Sequence, residues 1–273
     1  MLRLETNEGW WLVTHPDHAD LAGQFATKWG NEIFSSPEPR AEVLRGIFAH
    51  DDGWAARDAK PLITKQGKPS AFSKELVGKY SAFEEIDLDA YLAVRRSAVQ
   101  LMAQQDPYAA ILISMHTYNL LSTRADRSTI RPEQLPLLDA FLEEQISLQR
   151  ELQQRLVDAS ELPPEQIMWE ALTENFRLLQ ATDNLSLLSC VDFDGKATLL
   201  WPQQTRDGGA AEIQVTRIAE RSFRLSPYPF VESRVTFKLR TRFVPGLEFG
   251  SSEELQTQFD AARVEELDVV VLR

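Results

Sequence analysis

Along the first 190 residues apolar side chains recur mostly at steps of three and four, and beyond about residue 192 mostly at every second place. The first period is that of a helix with one buried face, the second that of a strand. His18, Ala22, Phe25 and Trp29 share one stripe, opened by Thr14 or His15 as a cap with Pro16 in the first turn and ended by Gly30, which predicts a helix there. Val43, Leu44, Ile47 and Phe48 predict a second helix from Pro39 to a stop at Gly53. Further stripes predict helices over 87–104, 107–122, 135–159 and 164–190. The third of these sets Leu138, Leu142, Ile146, Leu152 and Leu156 against a face of Gln, Glu and Arg. Residues 58–80, with Pro61, Gly67, Pro69 and Gly78, predict a long loop of the kind that acts as a lid or binding segment.

At the N-terminus Leu2 and Leu4 alternate with polar neighbours, Asn7-Glu8-Gly9 turns, and Trp10 to Val13 runs apolar, which predicts a hairpin. Past Asp192, alternating segments predict strands around 198–201, 212–218, 222–225, 234–243 and 267–272, with a short helix near 251–262. The expected architecture is mainly α: a helical domain with an N-terminal hairpin over 1–190, and a smaller β-rich C-terminal unit over 191–273 packed on it, α+β overall. Chain ends are often close in space, so the hairpin is expected to join the C-terminal strands.

Composition narrows the function. The chain of 273 residues carries a formal charge of −12, which excludes gripping a nucleic-acid backbone or an anionic membrane surface as its main business. No uncharged apolar run reaches about 18 residues, and the start lacks the apolar core of a signal peptide. One cysteine, Cys190, forms no internal disulfide. A cytoplasmic protein is expected.

The chemistry sits on the predicted inward faces. His18 lies on the first stripe, and the His50-Asp51 pair straddles the buried face at the end of the second helix. His116 continues Ala109 and Leu112, and Asp183 continues Phe176 and Leu179. An imidazole or carboxylate on an apolar face costs several kcal/mol if unpaired. Five such groups on four helices have an economical shared partner, a divalent metal ion: zinc, iron, manganese or magnesium.

The helix with His18, the box Ala49-His50-Asp51-Asp52-Gly53-Trp54 and the later Ala181-Thr182-Asp183-Asn184-Leu185-Ser186 together resemble the H…HD…D pattern of the HD-domain metal-dependent phosphohydrolases. The resemblance implies an HD-domain-like helical bundle in which His18, His50, Asp51 and Asp183 ligate the metal. His116 lies where two-metal members place a further histidine. It implies hydrolysis of a phosphate ester of a small molecule, nucleotides included, with a di-iron oxygenase or a non-catalytic metal- or ligand-binding protein as alternatives. More narrowly, Asp17-His18-Ala19, Lys28-Trp29-Gly30, the HDDGW box, Asp106-Pro107-Tyr108 and Pro227-Tyr228-Pro229-Phe230 are similar to a bacterial family labelled as a domain of unknown function.

Other residues keep two readings. Asp52 fits a catalytic general base, an acceptor orienting a ligand imidazole, or a surface carboxylate. Trp29, Trp54 and Tyr108 fit a pocket wall or plain core; Lys60, Lys65, Lys68, Lys74, Arg95 and Arg96 fit a phosphate contact or a solvated face. His15, held out of helical geometry by Pro16, fits a cap or surface residue better than a ligand.

Overall fold

A computed structural model describes residues 1–71, 88–191 and 193–273. Residue 87, Gly78, Lys74 and Asp192 of the expectations above lie outside the described residues. The chain opens with β1 (Leu2–Glu5) and β2 (Gly9–Val13), followed by α1 (His15–Lys28), α2 (Arg40–Phe48) and a short α3 (Ala55–Asp58). Then come α4 (Leu88–Gln105), α5 (Pro107–Asn119), α6 (Leu135–Ala159), a short α7 (Pro164–Ile167) and α8 (Trp169–Cys190). The C-terminal part contributes β3 (Lys196–Thr198), β4 (Gln203–Gln204), β5 (Ala210–Ala211), β6 (Gln214–Ala219), β7 (Ser222–Ser226), β8 (Arg234–Pro245), α9 (Ser252–Ala261) and β9 (Val264–Leu272). Among the described residues no helix is long and apolar enough to cross a membrane.

The expected HD-like helical bundle with a smaller β-rich unit is not what forms. Seven strands make one sheet in the order β1-β2-β8-β9-β7-β6-β3, so the N-terminal hairpin supplies two strands of the same sheet as the C-terminal part. All neighbours pair antiparallel except β7 and β9. The fold is α+β, and the reason is in the faces of the strands. On β8, Val235, Phe237 and Leu239 alternate with exposed Arg234, Lys238 and Arg240. That inward row, with Leu2, Val13, Val269 and Val271, shares one core with Leu21 and Phe25 of α1 and Leu179 and Leu185 of α8. α1 packs on β8 as well as on α2 and α8, so the helices form a layer over one face of the sheet.

α1 lies directly on β8, where Phe25 meets Phe237 edge to face at 4.7 Å between centroids and Gln24 bonds both the N–H and the C=O of Lys238. α5 is buried on nearly every side, from Tyr108 to Ser114. The opposite face of the hairpin, Trp10 and Leu12, packs with Val244 under Leu255 and Phe259 of α9. α1, α2, α5 and α8 converge on one side of the sheet, and His18, His50 and His116 point into the space between them.

Candidate metal centre

Each element has a local reason for presenting its side chain here. Thr14 Oγ1 accepts from the Asp17 N–H and caps α1, with Pro16 in its first turn, so His18 falls on the first inward turn. α2 stops at Phe48, and the chain leaves it with His50 and Asp51 both buried. On α8, Gln180, Asp183 and Ser186 stand three residues apart on the face toward α1 and α5. The candidate side chains are nearly inaccessible: His50 is 0% exposed, His18 1%, His116 2%, and Asp51 and Asp183 6% each.

The hydrogen bonds set which nitrogen of His18 and of His50 faces the centre. Ser186 Oγ donates to the Asp183 carbonyl (2.8 Å) and so accepts from His18 Nδ1–H (2.9 Å). His50 Nδ1–H donates to the Ile47 carbonyl at 2.8 Å. Both Nε2 atoms are thereby turned toward carboxylates. His18 Nε2 is 3.0 Å from Asp51 Oδ2, and His50 Nε2 is 3.4 Å from Asp183 Oδ1 without the geometry of a hydrogen bond, which leaves that buried nitrogen without a hydrogen-bond partner. Lone pairs facing carboxylates require a cation between them, either a proton or a metal ion. Among the described residues, two donor sets each bring one ligand atom per residue within 4.8 Å of the others: His18, His50 and Asp51, and His50, His116 and Asp183. Neutral imidazoles and carboxylates are the donors of zinc, iron and manganese, so the residues present fit the ion that was expected.

In the metal-free protein a proton fills this role at His50. Burial opposes a charge on His50, but Asp183, Asp51 and the Ile47 carbonyl outweigh it and push the imidazole up to about 9. Burial would raise Asp51, yet Arg95, His18 and His50 hold its carboxyl well below the usual carboxylate range. Asp183 is likewise lowered against its burial, by His50, His116 and His18. His116, pushed down to about 3 chiefly by burial, stays neutral.

A raised His50 is protonated below about pH 9, and a metal must displace that proton. Metal uptake is therefore expected to release about one proton between pH 6.5 and 8.5, with apparent affinity rising about tenfold per pH unit until it levels near 9. Calorimetric titration with Mn²⁺ in buffers of different ionisation enthalpy measures the release. No release in that window would mean that His50 is not displaced.

The family model described as "Protein of unknown function (DUF3891)" matches residues 1–246. The chain belongs to this family. No curated protein and no solved structure matches the chain. For this family member, the likeness to the HD superfamily is confined to the order of its histidines and aspartates, because the seven-stranded sheet overturns the fold that the likeness implied.

All five expected ligands, His18, His50, Asp51, His116 and Asp183, converge in the two sets. Asp52 does not join them: it is exposed, in the tight turn Asp52–Trp54. Its carboxyl is nonetheless raised, by burial first, with His50 opposing and Asp51 adding. His15 begins α1 and pairs with Asp58 at 2.9 Å rather than with the centre. Trp29 and Tyr108 are core, and Trp54 is packed between His15 and Arg95. Lys60 and Lys65 are exposed, Lys68 lies 3.5 Å from Glu5, and Arg96 pairs with Glu144.

Arg95 corrects the solvated-face reading, being 4% exposed with Nη1 donating to Asp51 Oδ1 at 2.5 Å. Its signal was present in the stripe Leu88, Tyr91, Leu92, Arg95, Val99 at steps of three and four, which puts a guanidinium on a buried face. Gln180 was also missed, although it lies one turn before Asp183 on the same face. Its carboxamide nitrogen is 2.6 Å from His116 Nδ1, and its oxygen accepts from Asn119.

Proposed function

We propose that this chain is a metal-dependent hydrolase that cleaves a phosphate ester of a small molecule, nucleotides included. The observation that carries the reading is the pair of Nε2 lone pairs, of His18 and His50, turned by Ser186 and Ile47 onto Asp51 and Asp183. When bound, a divalent ion supplies a Lewis acid that polarises the phosphoryl oxygen and makes water a nucleophile near neutral pH. His18, His50, Asp51 and Asp183 would hold it, joined by His116 when the Gln180 carboxamide turns its oxygen to the ring and Nε2 is left with the lone pair. Residual exposure belongs to the two carboxylates, at 6%, rather than to His50, so the approach of water and substrate is expected from their side.

Asp52, beside Asp51 on the exposed side and with a raised carboxyl, is the proposed acceptor of the proton lost by the attacking water. Asp52→Ala is then expected to keep its metal and lose about 10²-fold or more in kcat. An unchanged kcat would return Asp52 to the surface.

His50 favours a single ion over a pair. Its Nδ1–H is spent on Ile47, so it offers one lone pair, and the two donor sets that share it compete for that lone pair. This weighs against the two-iron oxygenase. Elemental analysis followed by phosphate release from a panel of phosphomonoesters, phosphodiesters and nucleotides tests the proposal. Absence of bound metal overturns it; metal without turnover, joined to tight binding of a small ligand, replaces it with a non-catalytic binding role.

A further inference from the structure

Arg95 does more than neutralise a buried carboxylate. Its Nη1 holds Asp51 Oδ1 at 2.5 Å, its Nε donates to the Tyr91 hydroxyl at 3.2 Å, and its guanidinium carbon lies 5.1 Å from the Trp54 ring centroid and 5.4 Å from that of Tyr91. Two rings and two hydrogen bonds leave the fork little freedom. The other Asp51 oxygen, Oδ2, is the one turned toward His18 Nε2. A free carboxylate can close on a cation with both oxygens, whereas one whose first oxygen is gripped by a guanidinium offers only the second. A cation beside a metal site also opposes the metal, so a site built only for tight metal binding would do better without Arg95.

We propose that Arg95 is a positioning residue that restricts Asp51 to a single donor oxygen, weakening metal affinity and keeping room in the ion's shell for water and an anionic substrate. A catalytic metal needs such an open place, and a closed structural site does not. The proposal rests on the metal-dependent reading above and concerns how that centre is kept reactive.

The test uses the full chain loaded with Co²⁺, whose visible bands report its coordination, titrated with inorganic phosphate. In the unmodified protein phosphate should shift the bands saturably. Arg95→Met should bind Co²⁺ about tenfold or more tightly and lose about tenfold or more in phosphate response, since Asp51 is freed to use both oxygens. Arg95→Lys, which keeps the charge without the planar fork, should fall between them. Opposite signs for metal and phosphate are the signature, because simple damage to the fold lowers both. Should Arg95→Met fail to fold by circular dichroism, the Lys variant and Arg95→Gln carry the same comparison. Weaker or unchanged Co²⁺ affinity in the folded variants, or an intact phosphate response, overturns the role of Arg95. If the unmodified protein takes up no Co²⁺, the metal centre itself falls and this proposal with it. If it takes up Co²⁺, His50→Ala does not, and the Arg95 variants match the parent, only the Arg95 role falls.

Discussion

Replacing His50 with alanine should take the protein from about one bound divalent ion per chain to a trace, as read by elemental analysis after dialysis. No other residue belongs to both donor sets, and its Nδ1–H is already bound to Ile47, so Nε2 has no second role to fall back on. Neighbouring imidazoles do not substitute for it. His18 is anchored to Ser186 and His116 stands against Gln180, each on its own helix. His15→Ala supplies the control: that ring belongs to Asp58, and its loss should leave the metal content unchanged. Full metal content in His50→Ala would refute the centre as described.

The second large effect is on stability. In the metal-free protein, Asp51→Ala should cost about 3–5 kcal/mol, because it takes from the 4% exposed Arg95 guanidinium the buried carboxylate to which it donates. Adding Arg95→Met should recover most of that loss, since removing both members of a buried pair is often close to neutral. Denaturant unfolding of the two single variants and the double variant closes the cycle. A cost below about 1 kcal/mol for Asp51→Ala would place the pair with solvent-screened ones.

Much of the local structure was legible in the sequence. The helix expected over 135–159 is α6, Leu135–Ala159, and the one expected to open at Thr14 or His15 is α1, with Thr14 as its cap. Period and capping chemistry act within a few residues, which is why they can be read without a fold. Boundaries shifted where tertiary contacts took over. The helix expected over 107–122 is regular only to Asn119 and passes into a wider turn over Leu120–Arg124, and the single stripe over 164–190 divides into α7 and α8.

The site was half legible for the same reason. A histidine or aspartate in an apolar stripe must face inward, so the five candidate ligands could be named one by one. Arg95 obeyed the same rule, but a long cationic side chain is usually drawn as snorkelling to solvent, and only the packed Trp54 and Tyr91 rings show that it does not.

By itself, then, the amino-acid order determined where most helices and strands lie and which histidines and aspartates would face inward, because those follow from period and side-chain chemistry. The tertiary structure alone decided that β8 is the strand the N-terminal hairpin joins, that α1 lies on the sheet while it also packs on α2 and α8, and that Arg95 holds Asp51. These depend on contacts between residues far apart in the chain, 44 positions for Arg95 and Asp51 and more than 200 for β2 and β8, and no local period encodes them.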